Sequence, residues 1–212
     1  MSVILLLALA VLFVSSFLLV KNIIYDKTEK YAEATLNAFI DMLLTETFES
    51  GTPLGEDTSE IPLRIGDYIC QLYDVVFAYL FLPLEEPGTI RYLCVAQNDR
   101  FDAQNPEDRY AGKVTEYTLT DDEWAVWHGE KAGSHSITKS KSGHEMSTMT
   151  RITDVEGRIV MAGIDISYEG TRTEVIRVFS WLAVIILLVI VAVGLLVYTV
   201  IRRNVSLPHL TV

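Results

Sequence analysis

Two long uncharged apolar runs bracket an acidic middle, and no single water-soluble fold accommodates that arrangement. Val3 to Val20 (VILLLALAVLFVSSFLLV) is eighteen residues without a charge; at a helical rise of about 1.5 Å per residue it covers about 27 Å, enough to cross a bilayer. Val178 to Ile201 (VFSWLAVIILLVIVAVGLLVYTVI) is twenty-four residues, about 36 Å of helix, which spans with some tilt. Both read as transmembrane helices. Only Met1 and Ser2 precede the first run, so it lacks the basic leading segment of a signal peptide and reads as an uncleaved anchor. Trp181 and Tyr198 lie near the ends of the second run, at headgroup depth, and Arg202-Arg203 follow it. That basic pair assigns the C-terminus to the cytoplasm and outweighs Lys21 and Arg177, which oppose the trend. Two spans return the N-terminus to the cytoplasm as well, so residues 21–177 are expected outside it.

The charge distribution follows the same division. All 28 acidic residues lie between Asp26 and Glu174, and residues 21–177 hold them with 15 of the 17 basic ones, a local balance of 15 minus 28, or -13. A nucleic-acid binder is excluded because nothing supplies the basic stripe that phosphates require. Two cysteines cannot make a disulfide framework. Cys70 and Cys94 are read either as an exported disulfide or as two buried thiols. Nine residues, Asn204 to Val212, follow the arginine pair, too few to bury a core, and the chain is expected to be the input portion of a longer signalling protein.

Between the spans, Asn22 to Ser50 continues as a helix, with Leu36, Phe39, Ile40, Leu43, Leu44 and Phe48 recurring at three- and four-residue intervals. Most of this stripe should pack on its own domain and the remainder on a second copy of the helix in a homodimer. Glu49 to Glu60 breaks the pattern, and a short helix is predicted over Leu63–Tyr73. Asp74–Leu82 and Thr89–Ala96, joined by PLEEPG, read as a β-hairpin. A polar loop from Gln97 to Gly112 comes next. Thr120-Asp-Asp-Glu123 before Trp124 is the capping box of a short helix ending near Gly129. Ser134–Thr138, Glu145–Thr153 and Arg158–Tyr168 read as antiparallel strands, turning at Lys141-Ser142-Gly143 and at Asp154–Gly157. In the last strand Val160, Ala162, Ile164 and Ile166 point one way and Ile159, Met161, Gly163 and Asp165 the other. A carboxylate sharing a face with a glycine leaves room for something to approach the sheet.

With GRIVMAGIDIS at 157–167, a final strand with a Gly-x-Asp ending, and DEWAVWHGEKAG at 122–133, a short helix and then glycine before the next strand, this order of elements resembles the single Cache family of extracytoplasmic PAS-like sensor domains, over roughly residues 21–177. The resemblance implies an α+β fold class: a PAS-like antiparallel sheet with a long N-terminal helix, flanked by two transmembrane helices. The tail IRRNVSLPHLTV similarly resembles the start of a HAMP linker, basic residues and then a proline followed by leucine; Pro208 and Leu210 fit, with His209 between them. Together the two likenesses imply the sensing input of a bacterial histidine kinase, chemotaxis receptor or cyclic-dinucleotide enzyme. Its partner would be a small molecule, an amino acid or organic acid.

Amino-acid-binding relatives of that family use an aromatic and arginine cluster for the carboxylate and a late aspartate for the amine. Asp165 occupies the place of that aspartate. Arg91, mid-strand in an apolar segment, is the first candidate for the arginine, with Tyr79 and Tyr92 nearby. Arg91 and Leu93 share one face and Tyr92 and Cys94 the other, so Arg91 and Tyr92 cannot line one pocket. Trp124 and Trp127, three apart on the short helix, either roof a pocket or anchor that helix to the sheet. His128 either donates to an anionic ligand or caps the helix end. His135 and His144 flank a polar turn; with Ser142-Gly143 as its two-residue loop His135 opposes Thr150, not His144, and no metal site is expected. No cofactor and no catalytic residue is expected, since no G-x-S-x-G, H-E-x-x-H, P-loop or dinucleotide glycine pattern occurs. The alternative function is a doubly anchored membrane domain that binds a protein or envelope partner, through an exposed apolar patch in place of an enclosed polar pocket.

Overall fold

The computed structural model describes residues 2–55, 60–84, 88–98, 100, 111–140 and 143–206. The chain divides into two compact units: Met1–Ile24 with Thr171–Val212, and Tyr25–Gly170. Helix α1 (Ser2–Ser50) contributes to both units, and α4 (Glu169–Ser206) almost wholly to the first.

In the first unit, Val175–Arg203 is, among the described residues, the helix long and apolar enough to cross a membrane. Its apolar side chains, Trp181, Leu187, Leu196 and Tyr198 among them, are exposed. Phe179 is the buried exception, held against Phe13 and Phe17 of α1 with ring centroids 6.1 and 4.4 Å apart. The side chains of residues 1–10 and 12, most of the first apolar run, lie outside the described set, as do residues 207–212 with Pro208, His209 and Leu210.

The second unit is α+β. Its six-stranded antiparallel sheet runs in the order β3-β2-β1-β6-β5-β4, from β1 (Val75–Pro83), β2 (Thr89–Gln97), β3 (Val114–Glu116), β4 (Gly133–Ser140), β5 (Gly143–Thr153) and β6 (Ile159–Ser167). The first hairpin and the last strand thus meet at the centre, where β1 pairs with β6. β3 is a short edge strand that no periodicity announced. The turn residues 85–87 and 141–142, and most of the loop from Gln97 to Gly112, lie outside the described residues.

Alternation along β6 sorts the interior into two layers. Val160, Ala162, Ile164 and Ile166 join a core with Ala32, Leu36, Phe39, Ile40 and Leu43 of α1 and with Ile65, Ile69 and Cys70 of α2 (Glu60–Leu72). Leu44 packs at its edge, but Phe48, expected on this stripe, is 78% exposed and lies past the end of this core on α1. Helix α2 reaches the sheet through Gly66: a Cβ there would lie 2.6 Å from the Cβ of Ala96, so only glycine allows this spacing. Cys70 and Cys94 are two buried thiols in this layer, not joined in a disulfide, and burial pushes the Cys94 thiol up to about 12. Met161, on the other face of β6, packs with Tyr79, Phe81, Ile90, Val95, Leu119, Val126 and Met149.

Two registers differ from the sequence reading. The β4–β5 hairpin closes at Ser140↔Gly143, one residue earlier than expected, so His135 opposes Thr148 and Lys139 opposes His144; moving a two-residue loop by one changes every partner by two. In β1–β2, Leu80 pairs with Cys94 but Phe81 with Tyr92, a bulge at Leu93. Both Leu93 and Cys94 therefore lie in the helix-side core, and Cys94 does not share a face with Tyr92 as strict alternation had it.

Candidate functional site

The site begins with a cross-strand pair. Tyr79 on β1 stands directly opposite Gly163 on β6. A side chain at 163 would collide with it: a Cβ there would lie 2.4 Å from Tyr79 Cε2 and 2.9 Å from its hydroxyl oxygen. The room that glycine leaves, expected to admit a ligand, is taken by the Tyr79 ring. Lying across Gly163, that ring carries its hydroxyl to the next residue on the same face, and Tyr79 Oη donates to Asp165 Oδ1 at 3.0 Å. Asp165 also pairs across the sheet with Ser147 and Phe77, and the Ser147 side chain hydrogen-bonds its carboxyl.

These residues floor a concavity of about 560 Å³ on the sheet face away from α1 and α2, walled by Phe77, Phe81, Tyr92 and Tyr117, with Lys113 and Thr138 also lining it. A volume of that order holds a small organic solute. The rings meet edge to face, Tyr79–Tyr92 at 6.2 Å and Phe81–Tyr92 at 6.3 Å between centroids, an arrangement that fixes them relative to one another.

Electrostatics set Asp165 apart. It keeps part of its surface open to the concavity, and protein encloses the rest. This burial pushes its carboxyl up to about 7, with the Glu145 and Glu123 charges adding and the Ser147 and Tyr79 hydrogen bonds opposing. Near neutral pH it is poised between acid and carboxylate. Burial, and then the Asp165 charge, hold the Tyr79 phenol well above its ordinary value, so it remains a donor. Glu123, 2% exposed, belongs to the capping box of α3 (Asp121–Trp127): its Oε2 accepts from the Thr120 amide at 2.7 Å and its Oε1 from Tyr117 Oη at 2.8 Å. The box expected from sequence thus also fixes the ring of Tyr117 at the concavity wall.

No family model matches the chain. No curated protein matches it in sequence. Among solved structures it is similar to the sensory domain of the Campylobacter jejuni chemoreceptor Tlp3 (CcmL) with isoleucine bound, at 14% identity and a TM-score of 0.33 over 74% of this chain and 66% of that one. The ligand-binding domain of Tlp3 in complex with L-valine gives 16% identity and a TM-score of 0.31 over 74% and 66%. The complex with 4-methylisoleucine gives 14% and 0.34 over 71% and 62%. The chain thus spans 62–66% of the length of these chains.

Of the residues singled out from sequence, Asp165 and Tyr79 come together in the concavity. Arg91 does not join them. It pairs with Leu82, which packs on the helix-side core, and is absent from the lining; alternation on β2 turns it to the far face, as its separation from Tyr92 implied. Trp124 and Trp127 pack on the sheet beside Met149 and Met161 as docking anchors of α3 and do not line the concavity. His128 is the C-cap of α3, its ring stacked on Trp124 with centroids 5.7 Å apart, followed by Gly129 at φ 77°; it too is outside the lining. Sequence reasoning did not single out Lys113, Tyr117, Phe77 or Ser147. Phe77 and Ser147 follow from Asp165 by cross-strand pairing once the register is known; Lys113 and Tyr117 flank a three-residue strand with no detectable pattern.

Proposed function

We propose that residues 25–170 form the ligand-binding sensor of a bacterial transmembrane receptor, of the single Cache, PAS-like kind, and that its ligand carries a positively charged amine. The observation that supports this most is Asp165 at the floor of an aromatic-walled concavity. An ammonium group placed there gives the poised carboxyl a charged partner, and the faces of Tyr79, Phe81 and Tyr92 add cation–π attraction. Lys113 is the lining cation that a ligand carboxylate would meet, which suits an amino acid. Arg91, Trp124, Trp127 and His128 have no ligand contact in this proposal.

The membrane topology is taken from the apolar runs and the flanking charges. Residues 3–20 and 178–201 span the membrane, the sensor is extracytoplasmic, both termini are cytoplasmic, residues 202–212 begin a HAMP-like linker, and two copies pair through the N-terminal helix. The chain acts by binding, without catalysis. Ligand preference for one of two conformations does the work, and moving the population from mostly off to mostly on takes about 5.5 kcal/mol of differential affinity. The rival, a doubly anchored interaction domain, gives no role to an ionisable group at the floor of a concavity.

A thermal-shift screen of the full chain in detergent micelles against amino acids, amines, organic acids and sugars tests the proposal. A ligand at 100 times its Kd is expected to add about 2.7 kcal/mol of stability. Hits confined to amine-bearing solutes and abolished by Asp165→Ala support it; hits among organic acids or sugars that persist in Asp165→Ala refute the assigned site.

A further inference from the structure

A second cluster of ionisable groups lies on the opposite face of the sheet from Asp165. Glu29 and Glu33 stand four apart on α1 and share one side of it. His135 on β4 meets both, its Nε2 3.2 Å from Glu33 Oε1 and 3.6 Å from Glu29 Oε1. One donor atom from each of the three lies within 4.8 Å of the others. On the other side of the imidazole, Nδ1 is 3.2 Å from Thr148 Oγ1, the residue that the observed register sets opposite His135. With Thr148 accepting from Nδ1–H, the lone pair of Nε2 faces the two carboxylates, the tautomer and orientation that metal-bound histidines take from an outer partner. Donors about 2.0–2.1 Å from a common ion sit roughly 2.8–3.4 Å apart in octahedral or tetrahedral geometry, so the two imidazole–carboxylate separations of 3.2 and 3.6 Å need only a small closure, and the three donors already lie within 4.8 Å of one another.

The surroundings fit an open site. The His135 side chain is 19% exposed, that of Glu29 32% and that of Glu33 51%: the imidazole is sheltered, and the carboxylates are open enough to admit an ion. A shallow concavity beside the cluster is lined by Glu33, Asn37, His135, Thr148 and Lys131. Asn37, one turn beyond Glu33 on the same side of α1, and water are available for the remaining positions.

We propose that Glu29, Glu33 and His135 form a binding site for a first-row divalent metal ion, Zn²⁺ foremost, which clips α1 to the β4–β5 hairpin. One imidazole nitrogen with two carboxylates favours such ions over Ca²⁺ and Mg²⁺, whose ligands are oxygens. The site is separate from the Asp165 concavity and independent of what that concavity binds.

The test titrates the full, tag-free chain in detergent micelles, stripped with chelator, with Co²⁺ as a spectroscopic probe and with Zn²⁺ by calorimetry. One ion per chain is expected, with Zn²⁺ displacing Co²⁺ and equal concentrations of Ca²⁺ or Mg²⁺ not doing so. His135→Ala, and Glu29→Gln combined with Glu33→Gln, should each weaken binding by about 100-fold or more, and Thr148→Val by about 10-fold; His128→Ala should leave it unchanged. Circular dichroism of the metal-free variants checks that they fold. X-ray absorption of the Zn²⁺-loaded wild type, which needs no variant, should show nitrogen and oxygen neighbours only. Absence of saturable binding at millimolar metal, binding that survives the substitutions, or sulfur ligation by Cys70 or Cys94 overturns the proposal.

Discussion

Replacing Asp165 by asparagine separates what the carboxylate does to stability from what it does for binding. In the folded unit this carboxyl is raised to about 7 from a starting value of 3.8, burial being the largest cause. Between those values the folded chain holds a proton that the unfolded chain has released. Stability therefore falls as pH rises through that window and levels off above about pH 7. Some three pKa units at about 1.36 kcal/mol each set an upper figure of about 4 kcal/mol; partial opening to water in the concavity lowers the expected effect to about 2–4 kcal/mol. Asparagine has the shape of the protonated acid, still accepts from Tyr79 and does not titrate. In melts of the full chain in detergent micelles, Asp165→Asn should match wild type near pH 4 and exceed it by roughly 5–15 °C at pH 8, at about 2–4 °C per kcal/mol for a unit of this size. Titration of groups that do not couple to Asp165 cancels in the difference. A difference that is constant with pH, or a wild type that gains on the variant as pH rises, would refute the assignment of a buried, raised carboxyl.

Gly163→Ala forces the Tyr79 ring off its seat and should destabilise by about 1–3 kcal/mol; in a Tyr79→Ala background the same change should cost far less, a coupling that a double-mutant cycle measures. Gly66→Ala sets a rigid methyl 2.6 Å from that of Ala96 and should cost a similar amount in urea melts, with no effect on ligand affinity once folding is allowed for. Asp154 resists burial because Arg158, by backbone and side chain, and the Glu156 amide donate to it, and its carboxyl lies below the ordinary range. It also accepts from the Leu54 amide at 3.2 Å. Asp154→Ala should cost about 2–4 kcal/mol near neutrality. The sign here is opposite to Asp165: the Asp154 contribution is full above the unfolded value and is lost as pH falls through the lowered folded one.

Local chemistry made much of the unit legible. The capping box Thr120–Glu123 and the two faces of β6 each depend on residues within a few positions of one another and stand as read, and β1 and β2 pair as expected apart from the bulge. What sequence could not supply was decided by pairing across long separations. The Tyr79–Asp165 hydrogen bond joins residues 86 positions apart, so that a glycine read as an opening is a seat for a phenol. The bulge at Leu93 and the one-residue shift of the β4–β5 loop lie where propensity is indifferent between neighbours. Glu29, Glu33 and His135 carry a weak local signal, two carboxylates at helical spacing, and only the packing of α1 on β4 brings the imidazole to them.

Proton release on binding tests the central claim most directly. A ligand ammonium that pairs with Asp165 favours the carboxylate and must expel its proton. Calorimetric titrations of an amine-bearing hit, run in buffers of different ionisation enthalpy, count the protons that leave. Release should approach one proton per ligand near pH 6, vanish above about pH 8.5 and be absent in Asp165→Asn. Binding at pH 6 with no release, or with proton uptake, would contradict the claim that Asp165 receives the amine.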